Sequence, residues 1–78
     1  MNDQNLLQEF GNLVRQARKS RKISAVRLGQ DLNLSNVTIY KVERGLRTHY
    51  FTRRRLAQWL CTFSEELSFD MGKFASIL

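Results

Sequence analysis

Apolar residues in this chain recur at helical spacing, and β-branched residues never alternate over a strand-length window. Leu6, Phe10, Leu13, Val14 and Ala17 follow one another at intervals of four, three, one and three. They therefore line one face of a helix running from about Leu6 to Ser20, with Arg15, Gln16 and Lys19 opposite. Ser24 is an N-cap for a second helix, with Ile23 placed to staple its entry and Leu28 and Leu32 facing inward. Asn33, which tolerates the left-handed backbone conformation, ends it. Ser35 caps a third helix in which Ile39 and Val42 point inward, while Asn36, Val37, Tyr40, Lys41 and Arg44 point away. Gly45 is its stop.

Residues 46–51 read as a loop. A fourth helix is expected from Thr52, burying Leu56, Leu60 and Trp59. Thr62 followed by Glu65 is a capping-box pattern that predicts a short fifth helix containing Leu67. The remaining segment is apolar at Phe69, Met71, Phe74, Ile77 and Leu78. The chain contains no proline, so the pattern predicts an all-α fold: a compact five-helix domain with a short apolar C-terminal tail. No repeat or low-complexity linker divides it, and residues 1–78 read as a single domain.

At 78 residues with 42% hydrophobic and 26% charged, the composition is globular, but the core is small enough that self-association would add useful burial. No apolar run approaches the roughly 18 residues of a membrane span. The stretch from Met1 to Asn5 lacks the basic-then-apolar layout of a signal peptide, so a cytoplasmic protein with no membrane partner is expected. A single cysteine, Cys61, and a single histidine, His49, supply neither an internal disulfide nor a metal site. Cys61 reads as a small buried hydrophobe. No catalytic pair is visible, so neither an enzyme nor a cofactor is expected.

Charge changes the picture. Residues 11–60 carry twelve basic side chains against only Asp31 and Glu43, whereas the flanks are mildly acidic. A cationic body of this kind suits a polyanionic partner, the alternative being a solvated surface that keeps a small protein soluble.

Against this background the residues resemble the lambda-repressor and Cro-like (XRE-type) helix-turn-helix family. The resemblance runs over about residues 9–67, through Phe10-Gly11, Val14-Arg15, Arg18, Ile23-Ser24, Leu28-Gly29 and Val42-Glu43-Arg44-Gly45. It implies a helix-turn-helix over residues 24–45 and a structural ion pair between Arg18 and Glu43. Physical chemistry points to the same pair, because a carboxylate beside Ile39 and Val42 would be costly without a matching guanidinium. A Glu43 that reads cytosine would need a groove-facing position instead. Three positions depart from the family pattern. Gly29 stands where alanine is usual, at a cost of about 1 kcal/mol in helix propensity. Asn33 replaces a turn glycine. Ala25 occupies the place of a phosphate-contacting glutamine, which leaves the helix N-terminus and Arg27 to compensate.

In double-stranded DNA, the outward face of the third helix would meet base edges while flanking groups hold the backbone. Asn36 suits adenine, Val37 a thymine methyl and Lys41 guanine. Arg27, Thr38, Tyr40, Arg44, Arg47, His49 and Arg53 are the phosphate candidates. Arg53, Arg54 and Arg55 point about 100° apart on a helix, so one or two of them are expected to reach DNA.

One copy reads only a few base pairs. A homodimer is therefore expected, with Trp59, Met71, Phe74, Ile77 and Leu78 at its interface, residues 68–78 as the dimerisation tail and the region from Arg47 to Trp59 as the other candidate contact. The resemblance implies a transcriptional repressor of the bacterial cytoplasm or nucleoid, of phage or plasmid type, binding a pseudo-palindromic operator, with RNA polymerase as a further candidate partner. The alternative is an antitoxin whose C-terminal tail binds a toxin while its helix-turn-helix represses their shared promoter.

Overall fold

The computed structural model describes residues 3–63 and 69–78. Four α-helices, α1 (Asp3–Ser20), α2 (Ala25–Leu32), α3 (Asn36–Glu43) and α4 (Tyr50–Cys61), precede a 3-10 helix, η1 (Met71–Ile77). The all-helical architecture is that predicted from the spacing of apolar residues. The expected fifth helix around Glu65 and Leu67 lies outside the described residues.

Local chemistry explains the boundaries. The Ser24 hydroxyl accepts from the Arg27 N–H, and the Ser35 hydroxyl from the Thr38 N–H, so each serine satisfies a donor that its helix leaves unpaired. Asn33 closes α2 with φ 59°, in the left-handed region, and Gly45 follows α3 with φ 77°. Arg55 adds a cap from a distance, its guanidinium donating to the Leu32 and Asn33 carbonyls at 3.3 Å each. Two helices start earlier than the apolar pattern alone suggests. α1 is already helical at Asp3, the first described residue. α4 begins at Tyr50 because the imidazole of His49 accepts from the Phe51 N–H at 3.3 Å and acts as its N-cap.

The helices surround a core in which Phe10, Val14, Leu28, Ile39, Leu56, Leu60 and Phe74 are fully buried. The inward face of α1 is wider than the five-residue stripe, since it also buries Leu7, Gly11 and Arg18. Leu13, Ile23, Leu32 and Trp59 are partly buried against the same core. Gly11 is where α1 meets α3: a Cβ there would stand 2.1 Å from the Val42 carbonyl oxygen. A glycine is thus required for the two helix backbones to approach this closely. At Gly29, a Cβ would meet the Leu34 carbonyl oxygen at 2.3 Å, so the alanine usual in the resembled family does not fit this turn.

η1 corrects an expectation. Phe74 and Ile77, assigned from sequence to a dimer interface, are 1% and 3% exposed and belong to the chain's own core. The Phe74 ring meets Phe10 edge-on at 5.5 Å and stacks on Phe69 at 5.5 Å. Full burial of a side chain of this size stabilises by about 1.5 to 3 kcal/mol, a gain available within one chain. Ion pairing between Lys73 and Glu9 at 2.9 Å and a hydrogen bond from Ser76 to Asp3 at 3.2 Å also fasten η1 to α1. Cys61 is also corrected: it is exposed at the last turn of α4.

Candidate nucleic-acid interface

α2 and α3 are joined by the three residues Asn33, Leu34 and Ser35, and α3 is anchored from below. Its inward residues Ile39 and Val42 are 0% and 2% exposed. Glu43, on the same side, accepts from Arg18 through both oxygens, at 2.7 Å from Nε and 3.1 Å from an Nη nitrogen. The second Nη of Arg18 donates to the Ile23 carbonyl at 3.0 Å. One guanidinium therefore ties α1 to the end of α3 and to the residue preceding the Ser24 cap. Its hydrogen bond to Glu43, opposed by burial and helped by the carboxylate charge, holds the Arg18 pKa above its ordinary value. The pairing expected from sequence is present and structural.

With that side fixed, the opposite face of α3 is free. Val37 is 57% exposed and Tyr40 43%, and Lys41 and Arg44 are exposed. Val37, Lys41 and Arg44 lie at i, i+4 and i+7, so they form one stripe along the helix. Asn36 is half-buried in the first turn, beside the groove that α3 forms with Val26, Gly29 and Gln30 of α2. Thr38 is half-buried, with its hydroxyl 2.8 Å from that of Ser35. Ala25 is 1% exposed, so the first turn of α2 directs this position into the core and not outward.

The flanking cations divide into groups. Arg27 is exposed and pairs with Asp31 at 3.2 Å, one turn along α2. An exposed pair of this kind is worth about 0.2 to 1 kcal/mol, so a phosphate can compete for the guanidinium. Arg47 is exposed, 4.0 Å from the Asp3 carboxylate. His49 is committed to capping α4 and stacks on Phe51 at 4.5 Å and on Tyr50 at 5.0 Å. Arg53 is corrected. It is only 4% exposed, and it donates from Nε to the Ile77 carbonyl at 2.7 Å and from an Nη to the Thr48 carbonyl and hydroxyl. It thus joins the α3–α4 loop to η1, and burial together with the nearby Arg47 charge lowers its pKa. Of the three consecutive arginines, Arg53 is internal, Arg55 caps α2 and Arg54 is exposed beside η1.

Three features were not assigned from sequence. Arg15 and Lys19 of α1 face a depression shared with Tyr40 and Arg44. Tyr50 and Phe51 are 45% and 57% exposed and form an aromatic cluster with His49. One side of α4, with Arg54, Ala57 and Gln58, borders a hollow of about 540 Å³ closed on the other side by Met71, Gly72, Ala75 and Leu78. The i,i+4 spacing of Arg15 and Lys19 was visible, but only the packing of α1 on α3 sets them opposite Tyr40 and Arg44. Among the described residues, no group of acidic, histidine or cysteine side chains is arranged to hold a metal, and no helix is long and apolar enough to cross a membrane.

Comparison with family models, with curated proteins and with solved structures finds no match to the chain.

Proposed function

We propose that this chain is a sequence-specific regulator that binds double-stranded DNA through the major groove, acting as a dimeric repressor. The observation that carries the reading is the asymmetry of α3. Its inner side is locked by Ile39, Val42 and the Glu43–Arg18 pair, and its outer side presents Val37, Tyr40, Lys41 and Arg44 in a region rich in cations. A short helix held rigidly from behind and offering polar, basic and methyl groups outward matches what base edges in a major groove require. Asn36, Val37 and Lys41 then read bases, and Arg27, Thr38, Tyr40, Arg44 and Arg47 hold phosphates. His49, as a cap, sets the start of α4 and orients the loop.

The dimer in this reading keeps part of the surface expected from sequence, the Arg47–Trp59 region with Met71 and Leu78, and gives up Phe74 and Ile77. Phe74 and Ile77 are consumed internally, and Trp59 is half-buried against its own core. What remains exposed is the α4 stripe Phe51, Arg54, Gln58 and Cys61, together with Met71, which lines the same hollow as Leu78. A second copy seated there would double the base pairs read. No observation favours the antitoxin reading, since the apolar tail it depends on is largely folded into the core.

Selection of bound sequences from a random duplex pool tests the proposal. A recovered pseudo-palindrome with half-sites about one turn, roughly 34 to 36 Å, apart is the expected result. Lys41→Ala should change preference at particular positions. Recovery of no enriched sequence, or a uniform loss of affinity in Lys41→Ala, would count against it.

A further inference from the structure

We propose that the depression between α1 and the last turn of α3 seats a phosphodiester group of duplex DNA, held by Arg15, Lys19 and Arg44 with the Tyr40 hydroxyl. The inference rests on the DNA-binding reading above and adds a contact from α1, outside the helix-turn-helix.

The site is built from two facing ridges. Arg15 and Lys19 are one turn apart on α1, and Tyr40 and Arg44 are one turn apart on α3. All four line a hollow of about 450 Å³ whose remaining walls are Arg18 and Glu43. The Arg18–Glu43 pair is closed on itself at 2.7 Å and contributes no net charge. The three wall cations are different. Arg27 pairs with Asp31, Arg47 with Asp3 and Lys73 with Glu9, while Arg53 and Arg55 donate to backbone carbonyls. Arg15, Lys19 and Arg44, in common with Lys22, Lys41 and Arg54, have no ion-pair or hydrogen-bond partner for their side chains among the described residues, and only these three share one hollow. Uncompensated positive charge is thus concentrated where two helices converge.

Position and charge both select the ligand. Tyr40 immediately precedes Lys41, about 100° around α3. An anion in the hollow therefore lies beside the Val37–Lys41–Arg44 stripe, where the backbone of a strand would run while its bases are read. The Glu43 carboxylate and the negative carboxyl end of the α3 dipole border the hollow. They oppose a free, doubly charged phosphate more than a singly charged phosphodiester already held by its duplex.

The test is fluorescence anisotropy of the full chain on a labelled duplex over a salt series, comparing wild type with the double variant Arg15→Gln/Lys19→Gln. Both side chains are exposed, so the variant should retain the wild-type melting profile. It should bind about tenfold more weakly at low salt, with the slope of log K against log salt shallower by about 0.9 for each phosphate no longer neutralised and with base preference unchanged. Wild-type binding with the variant equal in affinity and slope overturns the α1 contact and leaves the DNA-binding reading standing. A wild-type chain that binds no duplex overturns both. Titration of inorganic phosphate, followed through the arginine Nε–H resonances, separates the two sources of phosphate. Submillimolar saturation at Arg15 and Arg44, with duplex binding identical in wild type and variant, would assign the hollow to a free anion and refute the proposal.

Discussion

Replacing Glu43 by methionine removes both acceptors of the Arg18 guanidinium and leaves it the Ile23 carbonyl at 3.0 Å. The two side chains are only 11% and 6% exposed, so water from the adjoining hollow replaces the broken bonds only in part. Breaking one partner of a buried pair of this kind costs about 3 to 5 kcal/mol. A chain of 78 residues has a total stability of about 4 to 12 kcal/mol, so the substitution removes a large share of it. The melting temperature should fall by about 12 to 40 °C. Urea unfolding followed by circular dichroism at low temperature measures the loss directly.

Two further variants isolate the cause. Arg18→Met/Glu43→Met, which replaces the pair by apolar groups, should recover most of the loss. Lys73→Met breaks the Lys73–Glu9 pair, whose side chains are 52% and 47% exposed, and should cost under about 1 kcal/mol. If Glu43→Met costs no more than Lys73→Met, the pair does not anchor α3.

Arg53→Met should destabilise the fold by about 1.5 to 3 kcal/mol for each charged hydrogen bond left unmade, while the folded variant keeps the wild-type salt dependence on DNA; a slope shallower by one phosphate would return Arg53 to the binding surface. Gly11→Ala forces a Cβ against the Val42 carbonyl and should cost about 1 to 3 kcal/mol by thermal melting, and a neutral result would show that α1 and α3 do not pack this closely. Phe74→Ala should cost about 3 to 5 kcal/mol, whereas Phe51→Glu should leave the fold intact and, with the dimer proposed above, give a monomer by sedimentation and abolish cross-linking through Cys61. Loss of the dimer in a fully stable Phe74→Ala would place the apolar tail between copies after all.

Much of the helical framework was legible because its signals are local. Ser24, Asn33, Ser35 and Gly45 act within a few residues of themselves, through a cap or a left-handed backbone angle, and each does so where the pattern placed it. The inward set Leu28, Ile39, Val42, Leu56 and Leu60 follows from helical periodicity for the same reason. Misreadings arose where one residue type has two solutions. Arg53 carries a charge that reads as a DNA contact, yet it satisfies the carbonyls of Thr48 and Ile77. Phe74 and Ile77 are apolar residues that require burial, and nothing local states whether a second copy or the chain's own α1 provides it.

The sequence by itself determined the all-α class, the boundaries of the helix pair and the cationic middle of the chain, because spacing, capping chemistry and charge are properties of neighbouring residues; the Arg18–Glu43 pairing, across 25 positions, was legible only through the cost of an unmatched carboxylate and the family resemblance. Tertiary packing alone decided which arginines are internal, where the tail is buried, and that Arg15 and Lys19 of α1 share a hollow with Tyr40 and Arg44 of α3. Most of those relations join residues more than twenty positions apart, and the shared hollow exists only once Gly11 lets α1 and α3 touch.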